Sequence, residues 1–450
     1  MGKLFGTDGI RGVAGEPPLD RDDVYRIGYC LTRYLKSSCS RPCLQIGRDT
    51  RISGPWIEQL LRRSIEDAGG HADLCGVVST PAVSYCTHTT GAHAGIMISA
   101  SHNPYQDNGI KIFSSEGIKF NDAVEEQLET RILACSLAAP PEFDADPETV
   151  PLTLSSASRY QNLYSEFLRS CLAPGFRLGG TRLVVDCANG ALSGLAPDFL
   201  RSLGAEVTSI HCEPDGRNIN RKAGALHLGR LQEEVPARNA DLGIAFDGDA
   251  DRAMFVDSEG RIHDGDNIIF LLARYSQFNG APRMIVGTVM ANLGLEIALR
   301  DIGYQMIRTQ VGDRYVLEEM LRLGAVVGGE QSGHIIMTRL AHTGDGMLTA
   351  IKVLEILTRE RKEIADLCSP VRRLPQVLLN VKVREKIPFE EIPGLCDAEA
   401  SCRQKLGARG RILLRYSGTE KLARVMVEGE NEQAVHETAR HLAAFFQEIP

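Results

Sequence analysis

Ser101, His102 and Asn103 stand in a polar turn at the end of an apolar strand, Gly95 to Ala100, which presents a serine hydroxyl for reaction. Asn103-Pro104 and Asp107-Asn108-Gly109 form the turn, proline through its fixed φ and Asn and Gly through their tolerance of positive φ, and a new strand is expected from Ile110. A polar loop between two strands is the plain alternative, because loops of this composition are common. The residue types alone do not choose between Ser99 and Ser101 as the nucleophile. His102 invites a serine-hydrolase reading, but adjacent side chains of an extended chain point to opposite faces, so it is expected to orient the loop rather than act as a base.

A second cluster, DGDADR, places Asp247, Asp249 and Asp251 at alternate positions after the apolar run Leu242 to Phe246. Alternate side chains of an extended chain share a face, and the small Gly248 and Ala250 let the chain bend, so three carboxylates can converge on one hard cation. Oxygen-only ligands favour magnesium over zinc or copper. A calcium EF-hand loop would need Gly at its sixth position and Glu at its twelfth, where Arg252 and Ser258 stand. Near the C-terminus, the turn Ser417-Gly418-Thr419 lies between strands carrying Arg415 and Arg424. Such a turn can aim backbone N–H groups at an anion, and the two guanidinium groups can add bidentate bonds to a phosphate. An ordinary hairpin turn is the alternative.

Taken in order along the chain, these segments resemble the α-D-phosphohexomutases, and within them the branch acting on glucosamine phosphates. The likeness begins with GKLFGTDGIRG at Gly2 to Gly12, adds GGEQSGH at Gly328 to His334 and TGDG at Thr343 to Gly346, and closes with SGTE. It implies an intramolecular phosphotransferase of the isomerase class that interconverts glucosamine 6-phosphate and glucosamine 1-phosphate through a bound 1,6-bisphosphate, feeding UDP-N-acetylglucosamine and cell-wall precursor synthesis. It selects Ser101 as the phosphoserine, primed by a kinase or a hexose 1,6-bisphosphate, and assigns magnesium (Mg2+) to Asp247, Asp249 and Asp251 together with the phosphate on Ser101. Arg11, Lys111 and Arg252 resemble basic residues around that phosphoserine, and with His102 beside the serine they make up the candidate catalytic set. Glu330 and Ser332 match the sugar-recognition loop, and Arg415, Ser417, Gly418, Thr419 and Arg424 the phosphate-binding loop. Gln331 resembles the glucosamine branch, whereas mannose and glucose branches more often have methionine there. The alternatives are a phosphomannomutase or phosphoglucomutase, a sugar phosphatase, and an inactive sugar-phosphate-binding regulatory protein. The chain departs from the family at Tyr416 and Lys421, where proline is usual, at Gln310, where lysine is usual, and in RKAGALHLG after Asn220.

The elements that must hold these clusters repeat. A strand, helix and strand recur as CLQIG with a helix near 54–68 and a strand at 72–78, as RLVVD with 191–203 and 206–210, and as RMIVG with 293–302 and 304–309. Gly69-Gly70, Gly204 and Gly303 stop the helices. The expected fold is α/β: three similar α/β domains (1–155, 156–255, 256–369) plus a smaller C-terminal α+β domain (370–450) around a central cleft. The proline-rich stretch Ala139 to Pro151 marks the first boundary and Ser369-Pro370 the last. In the fourth domain, strands are expected at Val377 to Val383, Arg411 to Tyr416 and Ala423 to Val427, and an amphipathic helix at Glu432 to Gln447.

The 450 residues carry a net charge of −8, which does not suggest a nucleic-acid partner. No apolar run approaches the roughly 20 residues of a membrane span, and the polar N-terminus lacks the pattern of an export signal. A cytoplasmic enzyme with a hexosamine phosphate substrate is expected. The resemblance adds an expected homodimer. Twelve scattered cysteines without CxxC pairs read as reduced, mostly buried thiols.

Overall fold

The computed structural model describes residues 4–6, 8–140, 159–276, 278, 280–417 and 421–447. The boundary expected at residue 155 and most of the proline-rich stretch lie outside the described residues.

One strand order appears three times. In the first sheet it runs Ile10–Val13, Asp107–Ser114, Ala94–Ile98, Cys43–Arg48, His71–Val77. The last three strands are parallel, and Asp107–Ser114 returns antiparallel to Ala94–Ile98. The second sheet repeats this as Ile262–His263, Ala253–Asp257, Leu242–Phe246, Arg182–Asp186, Glu206–Ile210, with the same parallel and antiparallel partners. The third, Ile335–Met337, Val327–Gly329, Met284–Thr288, Gln305–Thr309, repeats four of the five strands among the described residues. Each sheet therefore has one place where the chain leaves its last parallel strand and comes back antiparallel. Ser101, the Asp247 to Asp251 segment and Glu330 stand in those three returns, at the carboxyl ends of the strands, where open α/β sheets bind ligands.

The expected strand, helix and strand units are present, with one shift. The helix expected near 191–203 spans only Ala196–Ser202, because residues 190–195 are taken up by turns closed from Ser193 N–H to Gly190 O and Leu195 N–H to Leu192 O, and Pro197 opens the helix. Gly69, Gly204 and Gly303 end the three helices with φ of 82°, 96° and 80°, a conformation glycine adopts without strain. In the first domain, helices Arg21–Leu35 and Gly54–Asp67 bury Ile27, Leu31, Ile57, Leu60 and Leu61 against Leu44 and Ile46 of the sheet. Each such side chain contributes about 1.5–3 kcal/mol by leaving water.

The chain divides into two compact bodies, Met1–Val289 with Ile307–Cys368, and Met290–Met306 with Ser369–Pro450. In the second body an antiparallel sheet ordered Gln376–Lys382, Leu422–Gly429, Gly410–Tyr416 packs Val425 and Val427 against Leu442 and Phe446 of helix Glu432–Gln447. The third strand, helix and strand unit is thus shared, since helix Leu293–Asp301 lies in the second body. Its N-cap Asn292 donates to Glu428 Oε1 at 3.2 Å and accepts from Leu374 N–H at 2.9 Å, while Glu428, fully buried, pairs with Arg411 Nε at 2.9 Å. Among the described residues no helix is long and apolar enough to cross a membrane.

Inside the first body, Tyr164 of helix Arg159–Ser170 donates to Asp345 Oδ1 at 2.7 Å, and the same oxygen caps helix Gly346–Glu360 through Leu348 N–H at 2.8 Å. Burial pushes the Asp345 carboxyl from 3.8 up to about 6. The folded state therefore holds this proton more tightly than the unfolded state, a contribution to stability complete below about pH 4 and lost as pH rises through 6. Asp345→Asn keeps the acceptor without the charge. Its melting temperature is expected to match the parent near pH 4 and exceed it increasingly up to pH 7, by up to about 3 kcal/mol in stability, a difference measured by calorimetry at both pH values.

Candidate active site

Ser101 is buried with φ of 51°, in the left-handed region, and this changes what its side chain meets. The extended-chain expectation had Ser101 and His102 pointing apart; the left-handed turn instead leaves His102 Nδ1 3.3 Å from Ser101 Oγ. Burial, then Arg252 and Arg11, push His102 down to about 4, so its ring is neutral at pH 7. The Ser101 hydroxyl donates to Asp247 Oδ2 at 2.6 Å, which joins the return of the first sheet to that of the second. Gly248 is what lets them close: a Cβ there would come within 2.6 Å of the Ser101 carbonyl oxygen.

Asp247, Asp249 and Asp251 converge, with carboxylate oxygens within 4.8 Å of one another. They do so through a turn, closed from Ala250 N–H to Asp247 O at 3.1 Å with Ala250 at φ of 61°, and not along one face of an extended strand. All three are buried. Asp249 Oδ2 accepts from Thr80 Oγ1 and, at 2.8 Å, from Lys111 Nζ, while Asp249 Oδ1 is buried without a hydrogen-bond partner among the described residues. Burial and the neighbouring Asp251 and Asp249 hold the Asp247 carboxyl well above the usual range. Three converging carboxylates with an unfilled acceptor and too little positive charge between them fit a hard divalent cation, and oxygen-only ligands fit magnesium.

Lys111, fully buried in strand Asp107–Ser114, reaches Asp249 Oδ2 at 2.8 Å, Asp8 Oδ2 at 3.0 Å and Asp251 Oδ2 at 3.3 Å. Burial works against its charge, but these carboxylates outweigh it and raise Lys111 well above the ordinary lysine value. Burial likewise opposes ionisation of Asp251, yet Lys111, His334 and Arg252 hold that carboxyl well below its usual range. Asp8 also pairs with Arg11 and Lys119, and Arg252 donates its backbone N–H to Asp247 Oδ1 at 3.2 Å. Arg11, His102, Lys111 and Arg252 are thus all brought to the serine and acidic returns.

The third return is tied to the second by backbone. Gly333, at φ of 90°, accepts from Ala253 N–H at 3.1 Å, and a Cβ on it would meet the Ala253 carbonyl oxygen at 2.5 Å. Glu330 accepts from Gly312 N–H at 3.2 Å and from Ser332 Oγ at 3.3 Å, leaving a carboxylate and a hydroxyl side by side. Gln331 turns instead to Asp266 Oδ2, at 3.1 Å, and docks the loop on helix Gly265–Tyr275. His334, the last residue of the GGEQSGH segment, places Nδ1 3.6 Å from Asp251 Oδ1 and accepts Gly344 N–H at Nε2 at 3.1 Å. Asp8 and Thr80 were also missed; Asp8 sits in the N-terminal motif, and Thr80 follows a helix cap whose sequence gives no sign of the carboxylate it meets.

In the second body, Arg415 and Arg424 are direct cross-strand neighbours, and burial together with Arg424 lowers Arg415 below the usual arginine value. Ser417 is buried, and its carbonyl accepts Lys386 Nζ at 2.6 Å. Gly418 and Thr419 lie outside the described residues. Tyr416 donates to Ile387 O at 2.6 Å and its ring centroid lies 4.9 Å from that of Phe389, which anchors this end of strand Gly410–Tyr416 in the core.

The phosphoglucomutase/phosphomannomutase family models match along the chain: α/β/α domain I over residues 2–138, domain II over 162–260, domain III over 264–374 and the C-terminal domain over 378–445. Curated relatives named phosphoglucosamine mutase include one from Solibacter usitatus, 46% identical over 98% of this chain and 97% of its own, and one from Cronobacter sakazakii, 45% identical over 98% of both. Among solved structures, a phosphoglucomutase/phosphomannomutase family protein from Burkholderia thailandensis has a TM-score of 0.79 at 22% identity over 99% of this chain and 98% of its own. Aspergillus fumigatus N-acetylphosphoglucosamine mutase, in complex with GlcNAc-6P and magnesium, has a TM-score of 0.66 at 18% identity over 98% and 95%. These two likenesses show the fold.

Two outcomes follow from the charge arrangement. Lys111→Met leaves Asp8, Asp249 and Asp251 facing one another, and urea unfolding in EDTA is expected to show a loss of about 3–5 kcal/mol, part of it recovered by adding Asp8→Asn. Magnesium at about 100 times its dissociation constant is expected to stabilise the parent by about 2.7 kcal/mol in a thermal-shift measurement, and to stabilise Asp249→Asn far less.

Proposed function

The chain belongs to the phosphoglucomutase/phosphomannomutase family, and from that premise we propose that it interconverts glucosamine 6-phosphate and glucosamine 1-phosphate in the cytoplasm. The observation that carries this reading is the contact of the Ser101 hydroxyl with Asp247 inside a buried group of three converging carboxylates. The relatives named phosphoglucosamine mutase support the choice of sugar.

Serine is a weak nucleophile, so the cycle starts from a phosphoserine at Ser101, primed by a kinase or a hexose 1,6-bisphosphate. Transfer breaks the bond from phosphorus to Ser101 Oγ and forms one to the anomeric hydroxyl oxygen of glucosamine 6-phosphate; the hydroxyl proton ends on Ser101 Oγ, which then donates to Asp247. The bound 1,6-bisphosphate turns end over end and returns its other phosphoryl group to Ser101. Asp247, Asp249 and Asp251 would hold magnesium, which when bound supplies positive charge beside the phosphoryl oxygens. Lys111, Arg252 and Arg11 add fixed cations where negative charge spreads over the group in flight, and His102 orients the serine turn. Glu330 and Ser332 contact the sugar, its carboxylate suited to hydroxyls and to the ammonium group of an amino sugar. Arg415, Ser417, Gly418, Thr419 and Arg424 hold the phosphate that is not reacting. Two guanidinium groups side by side across a ladder suit an anion in either sugar orientation.

Phosphorus NMR of glucosamine 6-phosphate with magnesium and a trace of hexose 1,6-bisphosphate tests this reading, with glucose and mannose phosphates run alongside. Glucosamine 1-phosphate is expected to form with the parent and not with Ser101→Ala. Release of inorganic phosphate alone would turn the reading to a phosphatase, and binding without turnover to a regulatory protein.

A further inference from the structure

Ser99 is fully buried two residues before Ser101, and its hydroxyl is committed on both sides. It donates to Asp49 Oδ2 at 2.6 Å and accepts the backbone N–H of Ser101 at 2.9 Å. Asp49, also fully buried, accepts Arg51 Nε at 2.9 Å on the same carboxylate and Arg51 N–H on its other oxygen at 2.9 Å. Arg51 has no exposed surface, and its remaining donors all end on carbonyls of the serine turn. Nη2 reaches Ser101 O and Asn103 O, both at 2.9 Å, while Nη1 reaches Asp107 O at 3.0 Å and Pro104 O. A guanidinium carries five N–H groups in a rigid fork, and here each has an acceptor. From the other side, Asn220 Nδ2 donates to Ser101 O at 2.8 Å and Asn103 O at 3.0 Å.

The circuit grips Ser101 by its amide and by its carbonyl at once. That residue has φ of 51°, a backbone conformation non-glycine residues avoid, and it persists only where surrounding bonds over-determine it. Relaxed to the extended form, Ser101 and His102 would again point to opposite faces. Ser99, for its part, is fully buried with its hydroxyl bonded on both sides, so it is poorly placed to accept a phosphoryl group. We propose that Asp49, Arg51, Ser99 and Asn220 are positioning residues for the phosphoryl carrier: they clamp Ser101 in the left-handed turn that aims its Oγ at Asp247. This rests on Ser101 being that carrier, as proposed above.

The test compares the parent with Ser99→Ala, Ser99→Thr and Asn220→Ala, each incubated with glucose 1,6-bisphosphate and magnesium. Intact-protein mass gives the phosphorylated fraction, and kcat per phosphorylated molecule and KM for glucosamine 6-phosphate are measured separately. Misplacing the reacting oxygen lowers kcat for Ser99→Ala by about 10- to 100-fold with KM nearly unchanged, and Ser99→Thr, which restores the hydroxyl, recovers most of it. If Ser99→Ala does not fold, Asn220→Ala reads the same grip from its outer side and shows a smaller fall in kcat with the same unchanged KM. A kcat per phosphorylated molecule equal to the parent's in the folded variants overturns the proposal, since a merely structural role alters only how much enzyme folds. If the parent itself takes up no phosphoryl group on Ser101, the underlying reading fails and the clamp falls with it.

Discussion

Lys111 carries its charge where no water reaches it, and that is tolerable only because Asp8, Asp249 and Asp251 stand within hydrogen-bond distance. An ammonium taken out of water and left alone loses several kcal/mol even after its surroundings relax, so these contacts cannot loosen at small cost. Lys111 comes from a strand of the first sheet, opposite Met97, while Asp249 and Asp251 come from the return of the second. Registration of the two sheets is thereby coupled to the geometry around Ser101. Burial, and then the neighbouring Asp251 and Asp249, hold Asp247 toward its protonated form, and the converging carboxylates suit a cation.

Repeating one topology gives the first body three returns of the same kind, and each has been filled with a different chemistry: a hydroxyl, a set of carboxylates, and a carboxylate beside a hydroxyl. The returns meet through main chain as well as side chain, at Gly248 against Ser101 O and at Gly333 against Ala253 O. Backbone contacts of that kind fix distances that long side chains would leave adjustable.

Much of this could be read from residue order. Buried parallel strands appear as continuous apolar runs, and Leu242–Phe246 and Arg182–Asp186 have the limits expected of them. The convergence of the three aspartates was legible from their spacing and the small residues between them, although the turn that achieves it was not. What stayed hidden was set from a distance. The carbonyl of Ser101 is bonded by Arg51, 50 residues away, and no residue beside the serine announces that contact. Thr80 meets Asp249 across 169 residues. The helix Leu293–Asp301 is legible in the sequence, but its bond to Glu428, 135 residues further on, is not.

That last arrangement bears on how the polypeptide can be made and cut. During synthesis from the N-terminus, Met290–Met306 leaves the ribosome well before Ser369–Pro450, so the smaller body stays incomplete until the chain is nearly finished. A fragment begun at Ser369 would lack Asn292 and helix Leu293–Asp301, leaving Glu428 without the Asn292 side chain and Leu293 N–H that it accepts. A fragment ended at Cys368 would leave the Asn292 side chain and Leu293 N–H without the Glu428 carboxylate. A cut between Cys368 and Ser369 therefore divides residues that bond to one another within the second body.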